Sequence, residues 1–282
     1  MAPHTLPTEA ILNASAHLLR PLVRLMLRVG ITFPVLSERL RMLFVEVAAA
    51  SLEQEKARTD SRLSLATGIH RKEIRRLREA GGGAPVPALP EPSSVTLSAA
   101  LIARWLATPT SPGTGEDLWL LPRSAVAGPS FDALVRSVTT DVRPRAVLDE
   151  WLAQGIVTLE PGDQVRLNTR AFVPAPGAEA QLFYFGRNLH DHIAAAAANV
   201  LATDHAPFPD LSVHYDRLSP QGAAALDAVA RAAAARLLQD INQRAAAIAA
   251  QDDASPNNGP KRRVNFGIYL YVEDESGTGA AP

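Results

Sequence analysis

Apolar positions recur at helical spacing through the first 80 residues. Leu18, Leu22, Leu25 or Met26 and Val29 line one stripe, and Leu36, Leu40, Leu43, Phe44 and Val47 line another. Pro21 either begins the first of these helices or kinks it. Thr32 ahead of Pro34 offers an N-cap followed by a residue already set for a first helical turn, so the second helix starts near Phe33 and runs to about Glu53. Two shorter helical patterns lie between Thr59 and Glu79, separated by Thr67-Gly68-Ile69.

After a run rich in glycine and proline, Ala80 to Pro92, the pattern changes. Ser94–Thr108 carries Leu97, Leu101 and Trp105 in helical phase, and Leu118–Leu121 is a short apolar strand. Ser130 caps a helix through Val138, and Arg143 to Gln154 form a third helix ended by Gly155. Ile156–Leu159 and Gln164–Leu167 alternate as strands about Pro161-Gly162, a pair suited to a type II turn. This order resembles a winged-helix domain, with Trp105, Trp119 and Trp151 as its core.

Beyond Pro174–Gly177 the pattern predicts a helix from Glu179 through Leu182, Phe183, Phe185, Leu189 and Ile193 to about Leu201. A short strand follows around Val213–Leu218. A long alanine-rich helix, capped by Ser219 and opened by Pro220, extends to about Ala250, and Val264–Val272 is a last strand. In that strand Val264, Phe266, Ile268, Leu270 and Val272 share one face while Tyr269 and Tyr271 lie on the other. Two strands make a poor independent sheet, which favours pairing across a dimer. The expected fold class is mainly α with small β elements (α+β). It comprises an N-terminal helix-turn-helix bundle (1–80), a Gly/Pro-rich linker (81–93) and a central winged-helix-like domain (94–175). C-terminal helices with a small two-stranded sheet (176–275) follow, then a disordered tail (276–282).

Composition narrows the chemistry. The chain has 282 residues, 47% of them hydrophobic and 20% charged, close to a globular average. It contains no cysteine, which excludes disulfides, thiolate metal sites and cysteine nucleophiles. No run free of charged residues approaches the roughly 18 needed to span a bilayer, so the expectation is a soluble cytoplasmic protein. Net charge is −1, yet it is segregated: 13 basic against 8 acidic residues through position 80, and 15 against 21 thereafter. Apart from Lys56, Lys72 and Lys261 every basic residue is arginine, and alanine is abundant. Both features fit a GC-rich coding background, so arginine abundance alone says little about phosphate binding.

The segment Thr59–Glu79 resembles the helix-turn-helix family of DNA-binding modules. Gly68 stands where the tight turn needs a positive φ, Ser64 is small where the helices touch, and Leu63, Ile69, Ile74 and Leu77 supply core contacts. With Ile74 and Leu77 inward, Arg71, Lys72, Arg75 and Arg76 project outward, His70 stands at the helix start, and Arg62 and Arg78 flank. Only Glu73 interrupts the positive face. Such a helix fits a major groove, where arginine can take guanine bidentately. In the winged-helix-like module Arg143, Arg145 and Arg166 are candidates for secondary backbone contacts, but Asp149, Glu150, Glu160 and Asp163 nearby oppose phosphate and favour a supporting or dimerising role.

His190 and His192, with Asp191, Asp204 and His205, are the one catalytic temptation. Residues two apart on a helix face different ways, so no metal site is expected, and phosphate-loop, nucleophile-elbow and zinc-protease motifs are absent. Taken from about Leu18 to Val272, the chain resembles a family of uncharacterised proteobacterial proteins, a domain of unknown function with an N-terminal helix-turn-helix. The resemblance rests on Leu19–Arg24, Ser61–Ser64, Thr67-Gly68, Arg71–Glu73 and Gly267–Val272. It implies a bacterial origin and a three-part layout, and no catalytic role. The functional expectation is a non-enzymatic transcriptional regulator without cofactor. It reads double-stranded DNA through residues 70–78 as a homodimer whose recognition helices sit about 34–36 Å apart, and is nucleoid-associated when bound. The alternative is a protein-interaction adaptor whose basic helix meets an acidic partner.

Overall fold

The structure, a computed structural model, describes residues 7–52, 58–79, 93–108, 119–168, 179–201, 206–255 and 259–274. It is mainly helical with a small three-stranded antiparallel sheet, and it divides into two compact units, residues 1–88 and 89–282. The expected linker and the C-terminal tail lie outside the described residues, apart from Ser93, where α5 begins.

The first unit contains α1 (Thr8–Arg28), α2 (Phe33–Ala50), α3 (Asp60–Thr67) and α4 (Arg71–Leu77). Pro21 lies inside α1, which continues through it. Gly30 takes a φ of 77° just past the end of α1, as a helix stop requires. Helix α2 begins at Phe33 with Pro34 in its first turn, as the sequence predicts. Its packing differs from the expected stripe. Val45 is buried against Leu63, Ile74 and Leu77, with Met42, Ala48, Ala49, Leu52 and Ile69 around them. The bulkier Leu40, Leu43, Phe44 and Val47 stay exposed. Small alanines on the neighbouring stripe allow α3 and α4 to approach α2 closely, so residue size, which the periodicity ignores, selects the buried face.

The second unit opens with α5 (Ser93–Ala107), β1 (Leu120–Pro122), α6 (Phe131–Val138), α7 (Pro144–Ala153), β2 (Val157–Glu160) and β3 (Gln164–Leu167). The sheet order is β1-β3-β2, with Leu121 and Leu159 both opposite Val165. Ser130 caps α6 by accepting from the Ala133 amide at 3.2 Å. The hairpin loop between β2 and β3 is three residues long, because Glu160 pairs with Gln164. Gly162 has the positive φ expected of it (80°), and Asp163 follows into the left-handed region at 58°. The core holds all three tryptophans. Phe131 meets Trp105 and Trp151 edge-on at 5.9 and 5.8 Å, and the two indoles stack at 6.5 Å.

Helices α8 (Glu179–Leu201) and α9 (Pro220–Asp253) complete this unit. Ala235 packs on the core, Gln239 is buried, and Asn242 and Gln243 donate to the carbonyls of Ala103 and Leu106 on α5. The expected C-terminal sheet does not form: neither 213–218, where Arg217 bends the chain at φ 60°, nor 264–272, which runs without a bend, belongs to a strand among the described residues. Side chains of α8 hold the extended chain instead. Asn199 donates to the Phe208 carbonyl and accepts from its amide at 3.0 and 2.7 Å. His192 meets Asp210, and Asp191 takes Arg263 and Asn265. A helix has no free ladder edge, so segments laid on it remain strands without partners.

Candidate nucleic-acid interface

The turn between α3 and α4 is built from local hydrogen bonds. Thr59 caps α3 by accepting from the Arg62 amide. Gly68 ends it at φ 73°, its amide donating to the Ser64 carbonyl at 2.9 Å. Thr67 donates its hydroxyl to the Leu63 carbonyl at 2.7 Å and accepts from the Ile69 amide at 3.2 Å. His70 then caps α4, its Nδ1 accepting from the Lys72 amide at 3.3 Å. That bond places the remaining ring proton on Nε2 when the imidazole is neutral. Leu63, Ile74 and Leu77 are fully buried and Ile69 half-buried, so every core position of the helix-turn-helix pattern is filled as the spacing requires.

Burying Ile74 and Leu77 leaves Arg71, Lys72, Arg75, Arg76 and Arg78 exposed, together with Arg62 and His70. The structure sorts these cations into two groups. Arg76 is tied down: it donates to both carboxylate oxygens of Glu73, at 3.0 and 2.7 Å, and reaches Glu38 on α2. Its hydrogen bonds hold both carboxyls below the ordinary glutamate range, and the two carboxylates in turn raise the pKa of the guanidinium further. Arg78 is likewise held by Asp60 at 2.6 Å and by the Arg58 carbonyl. These two arginines brace the module from within, so the basic face is not uniformly free as its spacing suggests. Glu38 lies 38 positions from Arg76, and no local spacing signals that pairing.

The second group points to solvent. Arg62, Arg71 and Lys72 make no ion pair among the described residues. Arg75 bonds Glu79 at 2.8 Å, which raises its pKa. Its side chain is nonetheless 74% exposed, and an exposed pair one turn apart is easily exchanged for another anion. Lys72 stands farthest round the helix from the Ile74–Leu77 edge, with Arg75 and Arg76 equally far on either side of it. The charge on α4 that enters no ion pair among the described residues, Arg71 and Lys72, thus sits at the N-terminal end of the helix, a rod of about 10 Å.

The winged-helix-like module presents a different picture. Its acids are not bare: Asp163 pairs with Arg123 at 3.1 Å and Glu160 with Arg166 at 3.1 Å. Arg145 is bound to Asp149 at 3.0 Å. A cleft of about 730 Å³ beside α6 and α7 is lined by Arg123, Arg136, Arg143 and Arg145. Of these, Arg143, the residue preceding α7, makes no ion pair among the described residues. Sequence alone does not single out Arg123 and Arg136, because a strand end and a helix face well apart along the chain reveal no shared cleft.

Among the described residues no group of three or more His, Asp or Glu side chains is placed to hold a metal ion. His190 bonds its neighbour Asp191, whereas His192 turns to Asp210 and the Tyr269 ring. Asp204 and His205 lie outside the described residues. No helix among the described residues is long and apolar enough to cross a membrane.

The chain belongs to a family of unknown function, DUF6502, whose model matches residues 8–278. No curated protein and no solved structure matches it.

Proposed function

We propose that this protein is a cytoplasmic, non-enzymatic DNA-binding regulator that acts as a homodimer. The observation that carries the reading is the pairing of a fully packed helix-turn-helix core with exposed Arg71 and Lys72 at the entry of its second helix. In this docking mode the N-terminal residues of the second helix meet base edges, and flanking cations meet phosphate. Arg71, Lys72 and Arg75 form the DNA-facing set, with Arg62 and His70 at its margin. Arg76 and Arg78 support it by fixing α4 on α2 and α3. Arg143 and Arg145 offer a subsidiary backbone contact, while Arg166, half-buried and held by Glu160, contributes least.

A triple variant, R71A/K72A/R75A, tests this. Its three side chains lie outside the core, so thermal unfolding stays close to that of the parent. Its affinity for mixed genomic fragments falls by orders of magnitude, and the slope of log K against log salt drops by about 2 to 3, roughly 0.9 for each phosphate no longer neutralised. Parental affinity with an unchanged slope overturns the assignment. Absence of any gel shift by the parent at micromolar protein favours the adaptor reading instead.

A further inference from the structure

We infer that residues 262–274 pair with the same residues of a second copy, forming a two-stranded antiparallel ribbon about a two-fold axis through Ile268. This deepens the dimer named in the proposed function, but rests on separate observations and holds whether or not the protein binds DNA.

The segment runs without a bend and belongs to no strand among the described residues. Its odd-numbered side meets α8 at one end and the middle: Arg263 chelates Asp191 through its two terminal guanidinium nitrogens at 2.6 and 2.8 Å, Asn265 donates to the same carboxylate at 2.7 Å, and the Tyr269 ring, itself 65% exposed, lies 5.4 Å from that of His192. Its even-numbered side, Val264, Phe266, Ile268, Leu270 and Val272, is between 43% and 86% exposed. No backbone-to-backbone hydrogen bond joins residues 264–270 to another described residue. Five apolar side chains in a row beside an open ladder edge form a surface that soluble proteins ordinarily cover or block with charge.

The sequence of the segment identifies what pairs with that edge, because it is complementary to itself when reversed. Centred on Ile268, Val264 faces Val272 of the second copy, Phe266 faces Leu270, and Ile268 faces its own counterpart. At the ends Arg262 faces Asp274, opposite charges meeting at both extremities. On the other side Gly267 lies opposite Tyr269, whose ring can cover the bare glycine backbone. Other alignments match less fully, although a centre at Gly267 still pairs Val264 with Leu270 and Phe266 with Ile268. Moving the centre to Gly267 sets Arg262 against Val272, and moving it to Tyr269 sets Val264 against Asp274. A shift of one residue turns apolar against polar faces, and an in-register parallel pair stacks Arg262 on Arg262 and Asp274 on Asp274. An unrelated partner would not require the charge pattern to be antisymmetric about the centre of the segment.

The absence of cysteine makes the register directly readable. Facing Cα atoms in an antiparallel pair are about 4.5 to 5.5 Å apart, within disulfide range. Under mild oxidation the I268C variant of the full chain therefore forms a covalent dimer. V264C alone does not, since its counterpart sits eight residues along the strand, roughly 27 Å away. The double variant V264C/V272C recovers the crosslink. In sedimentation without oxidant, R262E weakens the dimer and R262E/D274R restores it. A monomeric parent at tens of micromolar, or crosslinking of V264C as efficient as that of I268C, overturns the ribbon. The dimer is measured without DNA and the DNA contact by its salt slope, so either proposal can fail while the other stands.

Discussion

Arg76 on α4 bridges Glu38 on α2 and Glu73 on its own helix, joining two helices through one guanidinium. Replacing it with alanine removes the bridge and leaves two carboxylates facing each other. R76A therefore lowers the urea midpoint of the first unit, whereas R71A leaves it unchanged, and lysine at 76, lacking the planar fork, restores it only in part. The pH dependence follows from the lowered pKa of both glutamates. A carboxyl whose folded value is depressed stabilises above its unfolded value, here the ordinary 4.5, and loses that contribution as pH falls through the folded value. The stability gap between parent and R76A is thus full at neutral pH and closes as pH falls through the lowered folded values of the two glutamates.

Gly68 sits at φ 73° with nothing within 4 Å of where a Cβ would stand. A substitution there meets strain and no clash. G68A costs about 1 to 2 kcal/mol, the left-handed penalty for an L-residue, and G68N less because asparagine tolerates that region. Chemical denaturation of both variants checks the order. Equal stability of G68A and the parent would show that the turn does not hold this geometry in solution.

The carboxyl of Asp191 is held well below the usual aspartate range, first by Arg263 and then by His190 and Asn265. Its folded value is depressed, so the clasp it makes is complete above the ordinary aspartate pKa and opens only as pH falls through the lower folded value. D191N removes the charge at every pH. Proteolytic cleavage within residues 259–266 at neutral pH is therefore faster in D191N than in the parent, and equal rates would show that the clasp does not hold the segment.

Trp105 and Trp151 are both buried, yet the Trp151 indole nitrogen has a protein partner, donating to Ser98 at 3.3 Å, and the Trp105 nitrogen is buried without one. Both residues lose volume on replacement by phenylalanine, but W105F also discards an unsatisfied donor, while W151F breaks a hydrogen bond. W105F is therefore less destabilising than W151F, by about 1 kcal/mol, in thermal or urea unfolding.

The α3–turn–α4 pair is legible in the sequence because its signals are local: a cap at Thr59, a glycine at the turn, and apolar residues at fixed offsets from it. The winged-helix-like order is legible for the same reason, through Ser130, Gly155 and the alternation of 156–159 with 164–167. Two things are not. The ion pairs of Arg76 and Arg78 depend on Glu38 and Asp60 being brought close by packing, and the α2 stripe that is buried depends on side-chain size rather than period. The alternation in 264–272 marks an extended segment, and extended it is. What periodicity cannot supply is a neighbour, and within the chain α8 takes that place through Asp191 and His192.

The hairpin tip of the second unit is fastened at its base. Asp163 accepts from the Arg123 side chain while its carbonyl takes the Arg123 amide at 2.9 Å, riveting the tip to the residue that leaves β1. So tethered, the tip cannot lift away from β1 without giving up an ion pair and a backbone bond together.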